Sequence, residues 1–173
     1  VLRETQLVVC LLFQYAGMSF VDFAHLKERN IKNGILDYNR QKTGTPMRLE
    51  ILDTAELMRK ELMGDKKPAS GYLFPFLSGT KTGYEAYLEY NAALSRFNRN
   101  LKALKKAAGI ASDVTSYTIR HSFAMALKEQ NVPIEMISEL LGHKSIKTTQ
   151  IYLRSFSLEK MTEVNSTCFG CVY

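Results

Sequence analysis

Three side chains that could take part in a chemical reaction lie in the last third of the sequence: Arg120, His143 and Tyr152. His143 follows Arg120 by 23 positions, and Tyr152 follows His143 by nine. A guanidinium keeps its charge and can contact two phosphate oxygens at once. An imidazole changes charge near neutral pH, and a phenol, with a pKa of about 10, needs a base or a cationic surround before it attacks. Each residue also has a purely structural interpretation: a surface arginine, a histidine beside a glycine, and a tyrosine packed in the core.

Short helices must position these three residues. Thr115 or Ser116 can cap a helix that carries Arg120. Gly142 stops the next helix, so His143 lies just beyond its end. The helices predicted in this part of the chain are 116–130, 134–141 and 146–154. Two helices joined by a short turn and followed by a third could also be a helix-turn-helix DNA reader, in which the three residues are incidental.

The earlier part of the chain changes from helical to strand periodicity and back. Apolar and polar residues alternate on both sides of the turn signal Thr43–Pro46, which predicts a β-hairpin. The predicted helices are 4–16, 20–26, 53–63 and 84–108, and the predicted strands are 35–42 and 47–52. In the longest helix, the inward stripe is predicted to include Tyr84, Tyr87, Leu94 and Leu101. The pattern indicates a mainly helical α+β protein.

Composition excludes several classes of protein. The chain has 173 residues, a formal net charge of +6 and a 46% apolar share, which is typical of a folded domain and argues against disorder. Its longest apolar run, Leu7–Phe13, is too short to span a bilayer. The positive charge permits a polyanionic partner such as nucleic acid without requiring one. Cys168 and Cys171 form a lone CxxC with no second pair or nearby histidine, so no zinc site is expected.

The residues and their spacing form a compound pattern. The segments Arg120–Ala124, Leu141–His143 and Thr148–Tyr152 closely resemble the C-terminal signature of the tyrosine recombinases, the phage-integrase family. Gln14–Asp22 resembles the first box of that family, and Arg40–Gly44 resembles its lysine-bearing hairpin. The form of these boxes is most similar to the integrases of conjugative transposons and related mobile elements.

The resemblance implies a fold, a reaction and partners. It implies a mostly helical catalytic domain over residues 1–173 with a small antiparallel sheet and a tail at about 155–173, and no N-terminal core-binding domain in this chain. It implies site-specific cutting and rejoining of double-stranded DNA through a 3′-phosphotyrosyl link, without a metal or nucleotide cofactor. The full-length protein is expected to be a homotetramer on DNA in the bacterial cytoplasm, at the nucleoid, and this fragment alone a monomer.

The resemblance also assigns roles to single residues. Tyr152 is implied as the nucleophile and Arg120 as the phosphate clamp. His143 is expected either to donate to the same phosphate or to help move the tyrosine proton. Lys42 is the candidate general acid for the leaving 5′-oxygen, against the alternative of a solvated turn lysine. Tyr117 stands three residues before Arg120, where the family most often has histidine, and can still donate one hydrogen bond.

One departure from the family pattern puts the charge of the site in question. Ser19 occupies the position at which the first box usually carries an arginine. Removing one preorganised donor commonly costs about 10²–10³ in rate, so another cation is expected to compensate. Arg40 is the first hypothesis, because it stands two residues before Lys42 and both side chains would leave the same face of one strand. Arg48 on the returning strand is the second.

Further basic residues and two competing functions complete the predictions. Four basic residues spaced for one helical face form either a solvated helix side or a stripe that contacts phosphates: Arg96, Arg99, Lys102 and Lys106. A type IB topoisomerase would use the same chemistry, but the compact spacing from His143 to Tyr152 favours a recombinase. A non-catalytic DNA-binding module is the alternative from a different class.

Overall fold

The computed structural model of the chain describes residues 1–66, 71–153 and 162. Within these ranges helices predominate and one small antiparallel sheet interrupts them, which confirms the predicted mainly helical α+β class. None of the helices in these ranges is long and apolar enough to cross a lipid bilayer. The elements in chain order are α1 (Leu2–Gln14), α2 (Phe20–Ala24), a 3₁₀ turn (Glu28–Asn30), β1 (Ile31–Lys32), β2 (Ile35–Asn39), β3 (Pro46–Glu50), α3 (Asp53–Met63), α4 (Gly83–Ala107), α5 (Ser116–Glu129), α6 (Ile134–Leu140) and α7 (Ile146–Tyr152).

The sheet has the order β1-β2-β3, with each neighbouring pair antiparallel. Leu36 pairs with Leu49 and Tyr38 pairs with Met47 across the predicted hairpin, which is confirmed. Leu36, Tyr38 and Met47 are buried, because alternate side chains of β2 and β3 face the core. The strand β1 was not predicted, since two residues are too few to show alternation.

The main core lies where α1, α2, α3 and α4 meet the sheet. Aromatic rings fill its centre: Phe20 stacks on Phe97 with ring centroids 4.6 Å apart, and Phe23 stacks on Phe74 at 4.1 Å. The helix α1 contributes four buried side chains to this core, namely Leu7, Val8, Leu11 and Leu12. These residues are adjacent or three to four positions apart, the spacing of one helical face. This core fixes α2 and the sheet relative to each other, and both lead into the candidate site.

The inward face of α4 differs from the prediction. Tyr84 and Tyr87 are 72% and 59% exposed, so their placement on the inner stripe is wrong. The buried residues are Ala93, Phe97 and Leu101, which recur every four residues and pack against the core. The first turns of this 25-residue helix carry none of its buried residues, and apolar spacing alone cannot tell an exposed aromatic residue from a buried one.

A second, smaller core joins α5, α6 and α7. Ala124 of α5, Ile137 of α6 and Leu141 at the end of α6 are buried together, with Phe123 and Leu153 packed against them. Thr115 accepts a hydrogen bond from the backbone of Thr118, as predicted for the cap of α5. This cluster sets α5, α6 and α7 around one point, the loop that follows α6.

Candidate active site

Two buried arginines from distant parts of the chain converge on one backbone carbonyl. Arg120 on α5 is 7% exposed and Arg40, just after β2, is 8% exposed. Arg120 Nη1 donates to the Gly17 carbonyl oxygen at 2.9 Å, and its Nη2 donates to the Leu141 carbonyl oxygen. Arg40 Nη1 donates to the carbonyl oxygens of Leu141 at 3.0 Å and Gly142 at 3.1 Å. Because the last carbonyls of a helix lack intrahelical donors, the end of α6 holds the two cations together.

Gly142 makes this close approach possible. Its φ of +61° lies in the left-handed region, where a residue with a Cβ is strained. A Cβ at this position would also lie 2.5 Å from Met47 Sδ and 2.7 Å from Arg40 Cδ. The hairpin therefore packs directly on the backbone that follows α6, and this packing brings Arg40 to Arg120.

Asp22 anchors Arg40 and the start of the lysine-bearing turn. The carboxylate is 2% exposed and accepts a hydrogen bond from Ser19 Oγ at 2.6 Å. Its Oδ2 lies 3.4 Å from Arg40 Nε, and its Oδ1 accepts a hydrogen bond from the Gln41 backbone N–H at 2.7 Å. Ser19 also caps α2 by accepting a hydrogen bond from the Asp22 backbone N–H. Ser19, which stands in the usual arginine position, therefore donates a hydrogen bond to the carboxylate that holds Arg40.

His143 lies half-buried beside the two arginines. Its pKa is lowered to about 4, mainly by burial and in addition by the charges of Arg120 and Arg40. The ring is therefore neutral at pH 7 in the free chain. Its Nδ1 is 2.8 Å from Oγ1 of Thr149, a fully buried residue of α7.

Tyr38 is a buried phenol of the same neighbourhood. Burial raises its pKa, the charge of Asp22 raises it further, and Arg120 and Arg40 oppose this shift. The phenol of Tyr38 therefore stays protonated, and its buried side chain lies close enough to the two arginines for their charges to act on it.

Lys42 lies outside the buried cluster. The prediction that Arg40 and Lys42 leave one strand face is wrong, because β2 ends at Asn39 and residues 41–43 form a turn. Arg40 N–H donates to the Thr45 carbonyl oxygen at 2.9 Å, which closes this turn. Arg40 points inward from the end of the strand, whereas Lys42 is exposed at the turn.

The remaining predicted site residues are exposed in the part of the chain that the structure describes. Tyr117 is 63% exposed on the first turn of α5, one turn before Arg120. Arg48 is exposed on β3, on the side opposite to its buried neighbour Met47, and lines a surface groove with Glu139. The four basic residues predicted to form a stripe on α4 are also exposed, namely Arg96, Arg99, Lys102 and Lys106.

Tyr152 is the last residue of α7, six positions after the helix begins at Ile146. The side chain of Tyr152 lies outside the described part of the chain. So does the tail at 155–173, which includes the two cysteines of the CxxC, except for residue 162. Within the described ranges, no group of three or more histidine, cysteine, aspartate or glutamate side chains could hold a metal ion.

Two residues of this cluster, Asp22 and Thr149, were not among the predicted site residues. Both stand inside the quoted motif segments, Asp22 at the end of Gln14–Asp22 and Thr149 within Thr148–Tyr152. In the sequence alone, Asp22 is explained by its place in the first turn of the predicted helix 20–26, where an acidic side chain favours the helix dipole. Its position three residues after a capping serine was the available signal, but the contact with Arg40 spans 18 residues and depends on the tertiary structure.

Two curated relatives match part of the chain closely. The chain is 52% identical over 54 residues to the tyrosine recombinase XerD of Lacticaseibacillus casei, which covers 31% of this chain and 18% of that protein. It is 41% identical over 75 residues to the tyrosine recombinase XerC of Rickettsia typhi, covering 43% of this chain and 24% of that protein. The matches thus span about a quarter or less of these relatives' own length.

Solved structures share the fold over most of the chain. The XerH site-specific recombinase, solved with a palindromic difH substrate as a post-cleavage complex, gives a TM-score of 0.69 at 20% identity, covering 95% of this chain and 45% of that one. The Tn1549 transposon integrase, solved with a circular intermediate DNA, gives 0.65 at 16% identity, covering 92% and 57%. The family model described as the phage integrase family matches residues 3–159. The chain therefore belongs to the phage integrase family, the family of the tyrosine recombinases.

Proposed function

We propose that this chain is the catalytic domain of a site-specific DNA recombinase, which cleaves and rejoins DNA strands through a 3′-phosphotyrosyl intermediate. The convergence of Arg120 and Arg40 beside His143 carries this proposal, because it concentrates two permanent cations and an imidazole at one point. The phosphoryl group carries extra negative charge in the transition state, and preorganised donors aimed at that charge are usually the largest catalytic contribution. Membership of the phage integrase family supports the same assignment.

The proposed reaction exchanges one phosphodiester for another. The Tyr152 hydroxyl oxygen attacks a backbone phosphorus and releases its proton to solvent water, while the bond from phosphorus to the 5′-oxygen breaks. The leaving 5′-oxygen takes a proton from Lys42, and the product is a 3′-phosphotyrosyl link with a free 5′-hydroxyl. The 5′-hydroxyl of a second strand then reverses the step. The covalent link keeps the energy of the phosphodiester, so the proposed reaction uses no nucleotide cofactor.

Arg40 is proposed to replace the arginine that the first box lacks. Its guanidinium shares the Leu141 carbonyl with Arg120, so the two cations act at the same place. The salt bridge to buried Asp22 orients the guanidinium of Arg40 and partly offsets the electrostatic repulsion between Arg40 and Arg120. Arg48 supports this role less well, since alternation along β3 sends its side chain away from the face of Met47.

Lys42 is proposed as the general acid. The hydrogen bond from Gln41 N–H to Asp22 fixes the residue that precedes it, so the start of the turn is anchored while the Lys42 side chain stays exposed. An exposed lysine at an anchored turn can extend its ammonium group toward a bound strand. Tyr117, exposed one turn before Arg120, is proposed to donate one hydrogen bond to the phosphate.

Double-stranded DNA is the proposed substrate. XerH is a recombinase solved with its difH substrate, and the Tn1549 integrase was solved with circular intermediate DNA. In this chain, exposed basic residues along α4 are proposed to contact DNA phosphates, and a +6 net charge favours a polyanion. The full-length protein is proposed to act as a homotetramer at the nucleoid in the bacterial cytoplasm.

A covalent capture experiment tests the proposed reaction. We would incubate the chain with a pool of nicked duplexes whose sequence is randomised around the nick, and isolate protein–DNA adducts that survive denaturation. The expected result is an adduct with the unchanged chain and none with Tyr152→Phe. Sequencing the captured DNA would then supply a defined duplex for rate measurements. DNA binding without an adduct would refute catalysis and favour the non-catalytic binding module.

A further inference from the structure

We propose that Thr149 is a positioning residue, which holds the ring of His143 in the tautomer that carries its proton on Nε2. This inference rests on the proposed function, because the role of that proton is to meet a phosphate oxygen. Thr149 itself does not touch the reacting atoms in this assignment. It acts through His143.

The contact links the loop after α6 with the helix that carries the nucleophile. Thr149 lies on α7, is 0% exposed, and its Oγ1 is 2.8 Å from His143 Nδ1. Tyr152 follows Thr149 by three residues on the same helix, so the two positions are neighbours on one helical face. A single hydrogen bond thus couples the orientation of the imidazole to the helix of Tyr152.

The buried hydroxyl proton of Thr149 needs an acceptor, and this need decides whether Thr149 or His143 donates the hydrogen bond between them. Within the described residues, the contact with Nδ1 is the only side-chain hydrogen bond of Thr149. If Nδ1 carried the ring proton, Thr149 Oγ1 would accept it, and its own hydroxyl proton would be buried without an acceptor. A buried unsatisfied donor is costly. If Oγ1 donates to Nδ1 instead, both groups are satisfied, and the single proton of the neutral ring sits on Nε2.

This tautomer suits a phosphate ligand. Non-bridging phosphate oxygens only accept hydrogen bonds, so a neutral imidazole contributes to the site only through an N–H that faces the phosphate. Among the described residues, Arg120 from α5 and Arg40 from the end of β2 are the charged groups that shift the pKa of His143. Both are cations and, with burial, they keep the ring neutral in the free chain. The choice of tautomer therefore decides whether His143 can donate.

Three variants isolate the hydroxyl from the shape of the residue. Thr149→Val keeps the shape and removes the hydroxyl, whereas Thr149→Ser keeps the hydroxyl. Thr148→Val makes the same change at the exposed neighbouring position and is the matched control. Long-range ¹⁵N–¹H correlation spectra of the free chain report the tautomer of each histidine, with the His143 signals assigned from His143→Gln. We expect the Nε2–H form in the unchanged chain, Thr149→Ser and Thr148→Val, and a mixture of tautomers in Thr149→Val.

The rate of adduct formation on the captured duplex gives the second measurement. We expect Thr149→Val to be slower by about three- to tenfold, the factor that corresponds to the usual net strength of one hydrogen bond. Thr149→Ser and Thr148→Val should match the unchanged chain. An Nδ1–H tautomer in the unchanged chain, or a Thr149→Val variant with unaltered spectra and rate, would overturn the inference. If the unchanged chain forms no adduct, the proposed function fails, while the spectra still decide whether Thr149 sets the tautomer.

Discussion

Replacing Arg40 with alanine tests the most specific part of the proposed site. The change removes one preorganised donor near the phosphate, so we expect the rate of adduct formation to fall by about 10²–10³. It also leaves Asp22, which is 2% exposed, without its cation. Breaking a buried ion pair from one side costs about 3–5 kcal/mol. The lower end applies here, because the carboxylate keeps its hydrogen bonds from Ser19 Oγ and Gln41 N–H.

The same substitution has an electrostatic signature that does not depend on catalysis. The charge of Arg40 helps to lower the pKa of His143, so its removal should raise this pKa above about 4. The pKa should remain below the ordinary value, because burial is the largest cause of the shift and Arg120 is still present. An NMR titration of the His143 ring measures this change in the free chain.

Two further variants separate loss of function from loss of folding. Arg48→Ala removes the same charge from an exposed position on β3 and should cleave at nearly the unchanged rate. Asp22→Asn added to Arg40→Ala removes the unpaired buried charge, and should restore part of the stability but none of the cleavage. The reasoning is refuted if Arg40→Ala cleaves as fast as the unchanged chain while Arg48→Ala fails.

Three other predictions concern the scaffold of the site. Gly142→Ala should destabilise the chain by more than Gly44→Ala in thermal unfolding: both glycines have a positive φ, worth about 1–3 kcal/mol of strain, but only at Gly142 would a Cβ meet other atoms within 4 Å. The free energy of unfolding should fall as pH is lowered from 6.5 toward about 4, since the unfolded chain then binds a proton that native His143 does not. The free energy of unfolding of the His143→Gln variant should depend less steeply on pH in the same window. An equal slope in the variant and the unchanged chain would contradict the shifted pKa. Phe97→Ala should cost about 3–5 kcal/mol in denaturant unfolding, whereas Tyr87→Ala should change stability by less than about 0.5 kcal/mol; equal losses would contradict the observed orientation of α4.

Local signals were enough to predict the elements that carry the site. A capping residue depends on a few neighbouring backbone groups, so Thr115 marked the start of α5 correctly. Alternation around a turn likewise located the hairpin within a few residues. The orientation of α4 could not be predicted in the same way, because a tyrosine has an apolar ring and a polar hydroxyl and fits either face of a helix, and the packing of the other elements decides which aromatic residues are buried.

The sequence by itself determined the family of the chain and the identity of most candidate site residues, because motif type and spacing are properties of the linear order. Only the tertiary structure decided which cations meet. Arg40 reaches the carbonyls of Leu141 and Gly142, which are more than a hundred positions away in the sequence, and Asp22 and Gly142 make this approach possible. Such contacts depend on how the hairpin packs against the end of α6, and no local pattern encodes that packing. The same reason separates Arg40 from Lys42: two residues apart in sequence, one is buried in the cluster and the other is exposed.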